Sequence, residues 1–277
     1  MGQLKKFGMN KAYNNYRIFV TFHNEINFEY YCENSLKYFT FVNVNPDNKN
    51  IYEYKNKGID IINLNELHNY YPLGKSYAES EVIYNIYKNP DIYKNLDFIG
   101  FIHYDMVAIN INESDLYPLM RDFNHVSFAS YSFNEEIKVK YLMDPSKPNV
   151  WIGSGKNCYS SVIEDLNTYY KQSFSEENLK GQSINLCCSF LIKMDSFKNS
   201  MSYISYIIES GKLDIYDKDR KFRMQGGIME RYFATWLAFV ENNSTHFPLQ
   251  HNFNSTTTTN KNRNIIDKIK NRILHWM

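Results

Sequence analysis

The chain of 277 residues holds only four cysteines, Cys32, Cys158, Cys187 and Cys188, with no Cys-x-x-Cys pair and no zinc-like spacing. That excludes a disulfide framework and a zinc module, and leaves reduced thiols as the expectation. An excess of either charge is lacking too. With 31 Lys and Arg against 30 Asp and Glu, the net charge is +1, so no global field favours nucleic acid. No apolar run is long enough to span a bilayer and no secretory leader is evident, so an intracellular, cytoplasmic protein is expected. Internal repeats are missing. Gly74-Lys75-Ser76 lacks the upstream glycine of a P-loop and is not read as one.

What is present is a large share of aromatics, 17%, with 24 Tyr and 19 Phe. Together with abundant Asn, Lys and Ile, this reads as the codon bias of an AT-rich genome more than as a functional signature. Two Asn-Ser-Thr sequons, at Asn243 and Asn254, read as chance in so Asn-rich a chain.

Strand patterns fall at residues 17–22, 38–44, 59–64, 98–102, 126–131 and 184–194. Helical stripes fall at 82–88, 115–123, 161–170 and 197–210, and residues 225–231 open a strongly apolar helix over 232–240. Strands alternating with helices predict an α/β protein with a mainly parallel sheet flanked by helices. Residues 1–16 read as an N-terminal extension and 17–254 as a single domain. A Thr/Asn-rich linker over 255–264 then leads to a basic amphipathic helix over 265–277. That helix suits an anionic membrane surface, which would make the protein peripheral at the inner face of the membrane; docking back on the enzyme or dimerisation explains it equally well.

The chain is organised around residues 98–102, a short apolar run of the kind buried on both faces of a parallel sheet. It breaks into His103-Tyr104-Asp105. Ligands in open α/β sheets bind beyond the carboxyl ends of strands, where an imidazole and a carboxylate could hold a metal or a ribose. A turn capped by Asp105 accounts for the same residues equally well. His23 and Asn24 follow the first strand, where nucleotide-binding domains place base and ribose contacts; an ordinary turn is the alternative.

Residues 77–81, 83–84 and 87–89, followed by 97–104 (Asp-Phe-Ile-Gly-Phe-Ile-His-Tyr), resemble a group of glycosyltransferases encoded with capsular and exopolysaccharide genes. Those proteins carry a Glu-rich helix followed by a Tyr-Ile-Gly-x-x-His-Tyr strand. Glu230-Arg231 with Ala234-Thr235-Trp236-Leu237 is similar to their Glu-Arg…Trp-Leu helix, and residues 188–197 resemble the strand before it. The resemblance runs from about residue 17 to 247. It departs at one place, since the group has two arginines after His-Tyr where this chain has Asp105-Met106. The substitution makes the stretch look more like the Asp-x-Asp strand end of GT-A nucleotide-sugar transferases.

The resemblance implies a GT-A-like fold and a nucleotide-sugar donor, UDP-linked in expectation. The acceptor would be a glycan or a lipid-linked glycan. Asp105, His103 and a late histidine, His246 or His251, would hold Mn²⁺ or Mg²⁺, with Mn²⁺ favoured by a mixed nitrogen and oxygen set. His23, Asn24, Lys75, Glu79, Tyr104 and Arg231 are the candidates for donor binding. Glu230, after two glycines at an expected helix start, is the candidate base; its alternative role is favouring the helix dipole. Two rivals stand beside this reading, a catalytically lapsed glycan- or nucleotide-binding protein and a nucleotidyltransferase. The second would need a basic, glycine-rich loop after the first strand, and His23-Asn24-Glu25 offers none.

Overall fold

The computed structural model describes residues 15–129, 131–132, 158–179, 183–184, 188–214 and 224–252. The expected extension, the linker at 255–264 and the helix at 265–277 lie almost wholly outside them.

Four adjacent strands pair in parallel, β1 (Tyr16–Phe22), β2 (Phe39–Asn43), β3 (Ile61–Asn63) and β4 (Phe98–His103), and a second parallel pair lies at the far edge of the sheet. Alternate side chains of β1 enter opposite cores. Ile18, Val20 and Phe22 join one, Phe19 the other. Both faces are therefore covered, as continuous apolar runs require. The seven-stranded order is β10-β6-β9-β4-β1-β2-β3, where β6 is His125–Ser127, β9 is Phe190–Lys193 and β10 is Ser244–His246. Only β9 runs against its neighbours.

Gly100 sits mid-strand in β4 because its neighbours leave no room. A Cβ there would lie 3.1 Å from Ile18 Cγ1 and 3.1 Å from the Phe190 carbonyl oxygen. The glycine lets β1 and β9 close on β4 from both sides.

Short helices α1 (Ile51–Asn56) and α3 (Glu113–Asp122) lie between strands. The thicker layer is α2 (Glu79–Tyr87), α4 (Cys158–Tyr170), α5 (Met194–Glu209) and α6 (Met224–Trp236). Two minor antiparallel pairs complete the described chain: β5 (Met106–Val107) with β11 (Gln250–His251), and β7 (Tyr131–Ser132) with β8 (Ser183–Ile184). Polar ties cross the helical layer. Asp165 accepts from Tyr232 Oη and Lys212 Nζ, both at 2.6 Å, and buried Trp236 donates to Tyr170 Oη at 2.8 Å.

Two expectations are corrected. Residues 184–194 do not form one strand. Cys188 takes a positive φ of 46°, only Phe190–Lys193 joins the main sheet, and Met194 already opens α5. The strand expected at 126–131 ends at Ser127. Gly226 and Gly227 are the third and fourth residues of α6, in its first turn, as expected.

Gly226 has a packing reason. A Cβ there would lie 3.0 Å from both Ala78 Cβ and the Tyr77 carbonyl oxygen. The helix thus approaches the main chain of 77–78 as closely as backbone can. Ala78 has φ 50° and ψ −132°, a strained conformation for a residue with a Cβ, at the N-terminus of α2. Ahead of it, residues 69–74 are fastened to one side of α2. Asn85, with no exposed surface, accepts from Tyr71 N (2.6 Å) and donates to Tyr71 O (2.9 Å). Asn89 accepts from Asn69 N and Glu81 from Gly74 N.

Candidate active site at the ends of β1 and β4

Parallel pairing of β1 with β4 sets Thr21 beside His103, and Tyr104 N donates to Thr21 O at 3.1 Å. The residues just beyond the two strands, His23 and Asn24 on one and Tyr104 and Asp105 on the other, therefore emerge side by side. The His23 ring meets the Tyr104 ring edge-on, with centroids 4.9 Å apart. Asn24 is pinned through its main chain, its carbonyl accepting from Asn48 Nδ2 at 2.7 Å.

Glu79 enters from the start of α2. Its Oε1 lies 3.8 Å from His103 Nδ1, and both side chains are largely buried. At that separation the carboxylate and the imidazole face each other as an acid–base pair at the strand end. Strained Ala78, wedged by Gly226, fixes where Glu79 starts.

Asp105 is held from behind. Asn252 N donates to Asp105 O at 2.8 Å, and Asn252 Nδ2 donates to Tyr30 Oη at 2.7 Å. The Tyr31 hydroxyl, buried close by, is pushed well above the usual phenol range, first by burial and then by the negative charge of Asp105. A carboxylate in such surroundings is set to accept hydrogen bonds from a ligand's hydroxyls or to meet a cation.

The other candidates scatter. Lys75 is exposed in the single turn Lys75–Tyr77, one step before Ala78. Arg231 is 1% exposed and donates from Nη1 to Gly227 O at 2.6 Å. It is an interior residue of the helical layer. Glu230 is half-buried in α6. It follows Gly226 by four residues and so shares the helix face that meets 77–78. His246 ends β10, opposite Ser127. Two strands separate β10 from β4, about 14 Å at the usual strand spacing, so His246 does not join His103. The backbone of His251 does come close, since it pairs with Met106 next to Asp105. That placement depends on a register between residues 145 apart in sequence, which no local pattern encodes.

Among the described residues, no three His, Cys, Asp or Glu side chains converge as a metal site. One imidazole and one carboxylate do not by themselves hold Mn²⁺ or Mg²⁺ in the sets these ions adopt.

No family model matches the chain, and no curated protein does. Solved structures do. The apo structure of the bifunctional glycosyltransferase WbbM matches with a TM-score of 0.56 at 13% identity, over 86% of this chain and 45% of that one. The chain thus spans under half the length of that protein. Mouse xyloside xylosyltransferase 1, apo form, gives 0.43 at 11% identity, over 84% of each chain. Glucosyl-3-phosphoglycerate synthase from Mycobacterium tuberculosis, solved with Mn²⁺ and UDP-glucose, gives 0.37 at 9%, over 94% of this chain and 76% of that one. The fold is GT-A-like: a mostly parallel seven-stranded sheet flanked by helices, of the kind that carries glycosyltransferases.

Proposed function

We propose that the protein is a glycosyltransferase, moving a sugar from a nucleotide-linked donor, UDP-linked in the first instance, to a hydroxyl of a glycan or lipid-linked acceptor. Synthesis of surface polysaccharide or glycoconjugate is the setting this chemistry suits. One observation carries the reading. In a GT-A-like sheet, His103 at the end of β4, Tyr104 and Asp105 just beyond it and His23 beyond β1 emerge side by side, with the His23 and Tyr104 rings in contact and Glu79 facing His103 from α2.

The chemistry assigns roles to these groups. Asp105 accepts hydrogen bonds from the ribose, while His23 and Asn24 border the base. The departing nucleoside diphosphate gathers negative charge, which the His103 imidazole, as a hydrogen-bond donor oriented by Glu79, and the exposed ammonium of Lys75 stabilise. On the acceptor side, the Glu230 carboxylate takes the hydroxyl proton as the new glycosidic bond forms. No step is routed through a metal.

Nucleotide-sugar hydrolysis, screened over UDP-, GDP- and dTDP-linked sugars with and without Mn²⁺, tests the reading. At least one donor should be cleaved faster than without protein, and the Mn²⁺ arm reads the cation requirement directly. No cleavage of any donor, together with no calorimetric binding of UDP or GDP, would replace the reading with the lapsed glycan-binding one.

The tail belongs to the same proposal. Basic residues around an apolar stripe over 265–277 would hold the enzyme at an anionic membrane carrying lipid-linked acceptors. Flotation with anionic vesicles should be lost on deleting 260–277 and weaken with salt. Protein that stays unbound at low salt points instead to packing or dimerisation.

A further inference from the structure

We propose that α2 and α5 form an accessory saccharide-binding groove on the outer helical layer, separate from the strand-end site. The groove has a volume of about 540 Å³ and is lined by Tyr87, Lys88, Ser202, Ser205, Tyr206 and Glu209, with Ser210 at its end. Lys88 lies nine residues beyond Glu79, about 13 Å along the helix direction, so the groove and the His103 cluster sit at opposite ends of α2.

Ser202, Ser205, Tyr206 and Glu209 follow the spacing of one helix face. On a buried face such positions would be aliphatic; here they are hydroxyls, an aromatic ring and a carboxylate. Tyr206 is among the few large apolar side chains left exposed, and its ring is propped by Tyr169 at 5.2 Å. Glu209 is pre-set by its neighbours. Its Oε1 accepts from Tyr84 Oη at 2.8 Å and from Lys88 Nζ at 2.7 Å. These two bonds, Lys88 first, hold the carboxyl below its ordinary range, so it is ionised at neutral pH. Oε2 receives no hydrogen bond among the described residues and Glu209 is half-exposed, which leaves a charged acceptor open to the groove.

This combination selects its occupant. Lys88 is already neutralised by Glu209, so the groove has no net attraction for a phosphate or nucleotide. An apolar helix or strand would bury the half-exposed carboxylate and its open Oε2 without a partner, at a cost. A pyranose satisfies both parts. Its C–H face covers the Tyr206 ring, and adjacent hydroxyls donate to Glu209 Oε2 and accept from Lys88. The inference stands without the transfer reading, since it concerns binding alone.

Saturation-transfer NMR on the full chain tests it, with methyl glycosides of glucose, galactose, N-acetylglucosamine and rhamnose, and with lactose and maltotriose. At least one probe should bind with a Kd on the order of 1–10 mM, typical of a few hydrogen bonds and one ring contact. Tyr206→Ala and Glu209→Gln should each weaken that binding about tenfold with little change in thermal midpoint, whereas Asp105→Ala should not. Tyr206→Leu keeps bulk against Tyr169 but loses the aromatic face, and should behave as Tyr206→Ala does. The proposal is overturned if no probe binds, or if binding survives the groove substitutions. It is equally overturned if binding is lost only in Asp105→Ala, for the sugar then occupies the strand-end site.

Discussion

Replacing Gly226 by alanine sets two effects of similar size against each other. Alanine is the better helix former by about 0.8–1.0 kcal/mol, so on propensity alone the variant should be more stable. Against that, the new Cβ would lie 3.0 Å from Ala78 Cβ, 3.0 Å from Tyr77 O and 3.1 Å from Tyr77 C. Two of these atoms are main chain and the third is a Cβ fixed to it, so no side-chain rotation relieves the overlap. Overpacking of this kind costs roughly 1–3 kcal/mol, and a rigid neighbour places it in the upper part of that range. The net expectation is a loss of about 1–2 kcal/mol, or roughly 2–8 °C in thermal midpoint for a domain of this size. Urea unfolding of Gly226→Ala and Gly226→Val would measure it, with the larger side chain costing more. The displacement also has a direction, because 77–78 leads straight into Glu79. Nucleoside diphosphate affinity should fall in Gly226→Ala even where the protein is fully folded. A variant at least as stable as the parent would refute the packing argument, whatever its affinity.

Asp105→Ala should weaken binding of a nucleoside diphosphate by about tenfold or more, because the half-buried carboxylate proposed to hold the ribose is lost; calorimetry on the folded variant decides it. Glu230→Gln should keep donor binding yet lose about 10²–10⁴-fold in turnover. Intact turnover per folded molecule in that variant would leave Glu230 a helix-stabilising residue only. His125 is fully buried against Phe190, and burial, helped by nearby His246, lowers its pKa to about 3. The unfolded chain takes up this proton below about pH 6.5 while the folded one does not, so the stability it contributes is complete above that pH. It is lost progressively as pH falls towards 3, with a slope approaching 1.4 kcal/mol per pH unit. Urea midpoints between pH 4 and 8 should therefore flatten in His125→Phe, and an unchanged slope would show that other groups carry the acid sensitivity.

Much of the sheet can be read from residues 16–103 because its signals are local. Apolar runs at 17–22, 38–44 and 98–102 are long enough, and bounded sharply enough, to mark buried parallel strands. The same logic fails at 184–194. An apolar run looks alike whether it is strand throughout or broken by a residue such as Cys188 with positive φ, and the antiparallel direction of β9 depends on partners far away in sequence. Gly226 and Gly227 read as a helix start and lie in the first turn of α6; the close approach that makes a glycine necessary at 226 depends on main chain about 150 positions earlier, which no local signal encodes. At the site, strand ends point to His23, His103, Tyr104 and Asp105, and parallel pairing of β1 with β4 makes them neighbours. Arg231 and His246 are suggested by residue type, order and the resemblance, none of which carries their place in three dimensions. Burial of the one, and the strands between the other and β4, are properties only of the assembled chain.

The fastening of residues 69–74 to α2 bears on how this protein can change. Asn85, Asn89 and Glu81 hold that segment by its main-chain N–H and C=O groups, and Tyr71, doubly bonded through its backbone, has its own ring half in solvent. Side chains along the approach to Lys75 and Glu79 can thus be exchanged without untying the loop, whereas Glu81, Asn85 and Asn89 cannot. Variation in what this edge of the protein recognises is separated from variation in how it is built, and a library randomised at Tyr71, Pro72 and Leu73 with α2 left intact would explore the first while sparing the second.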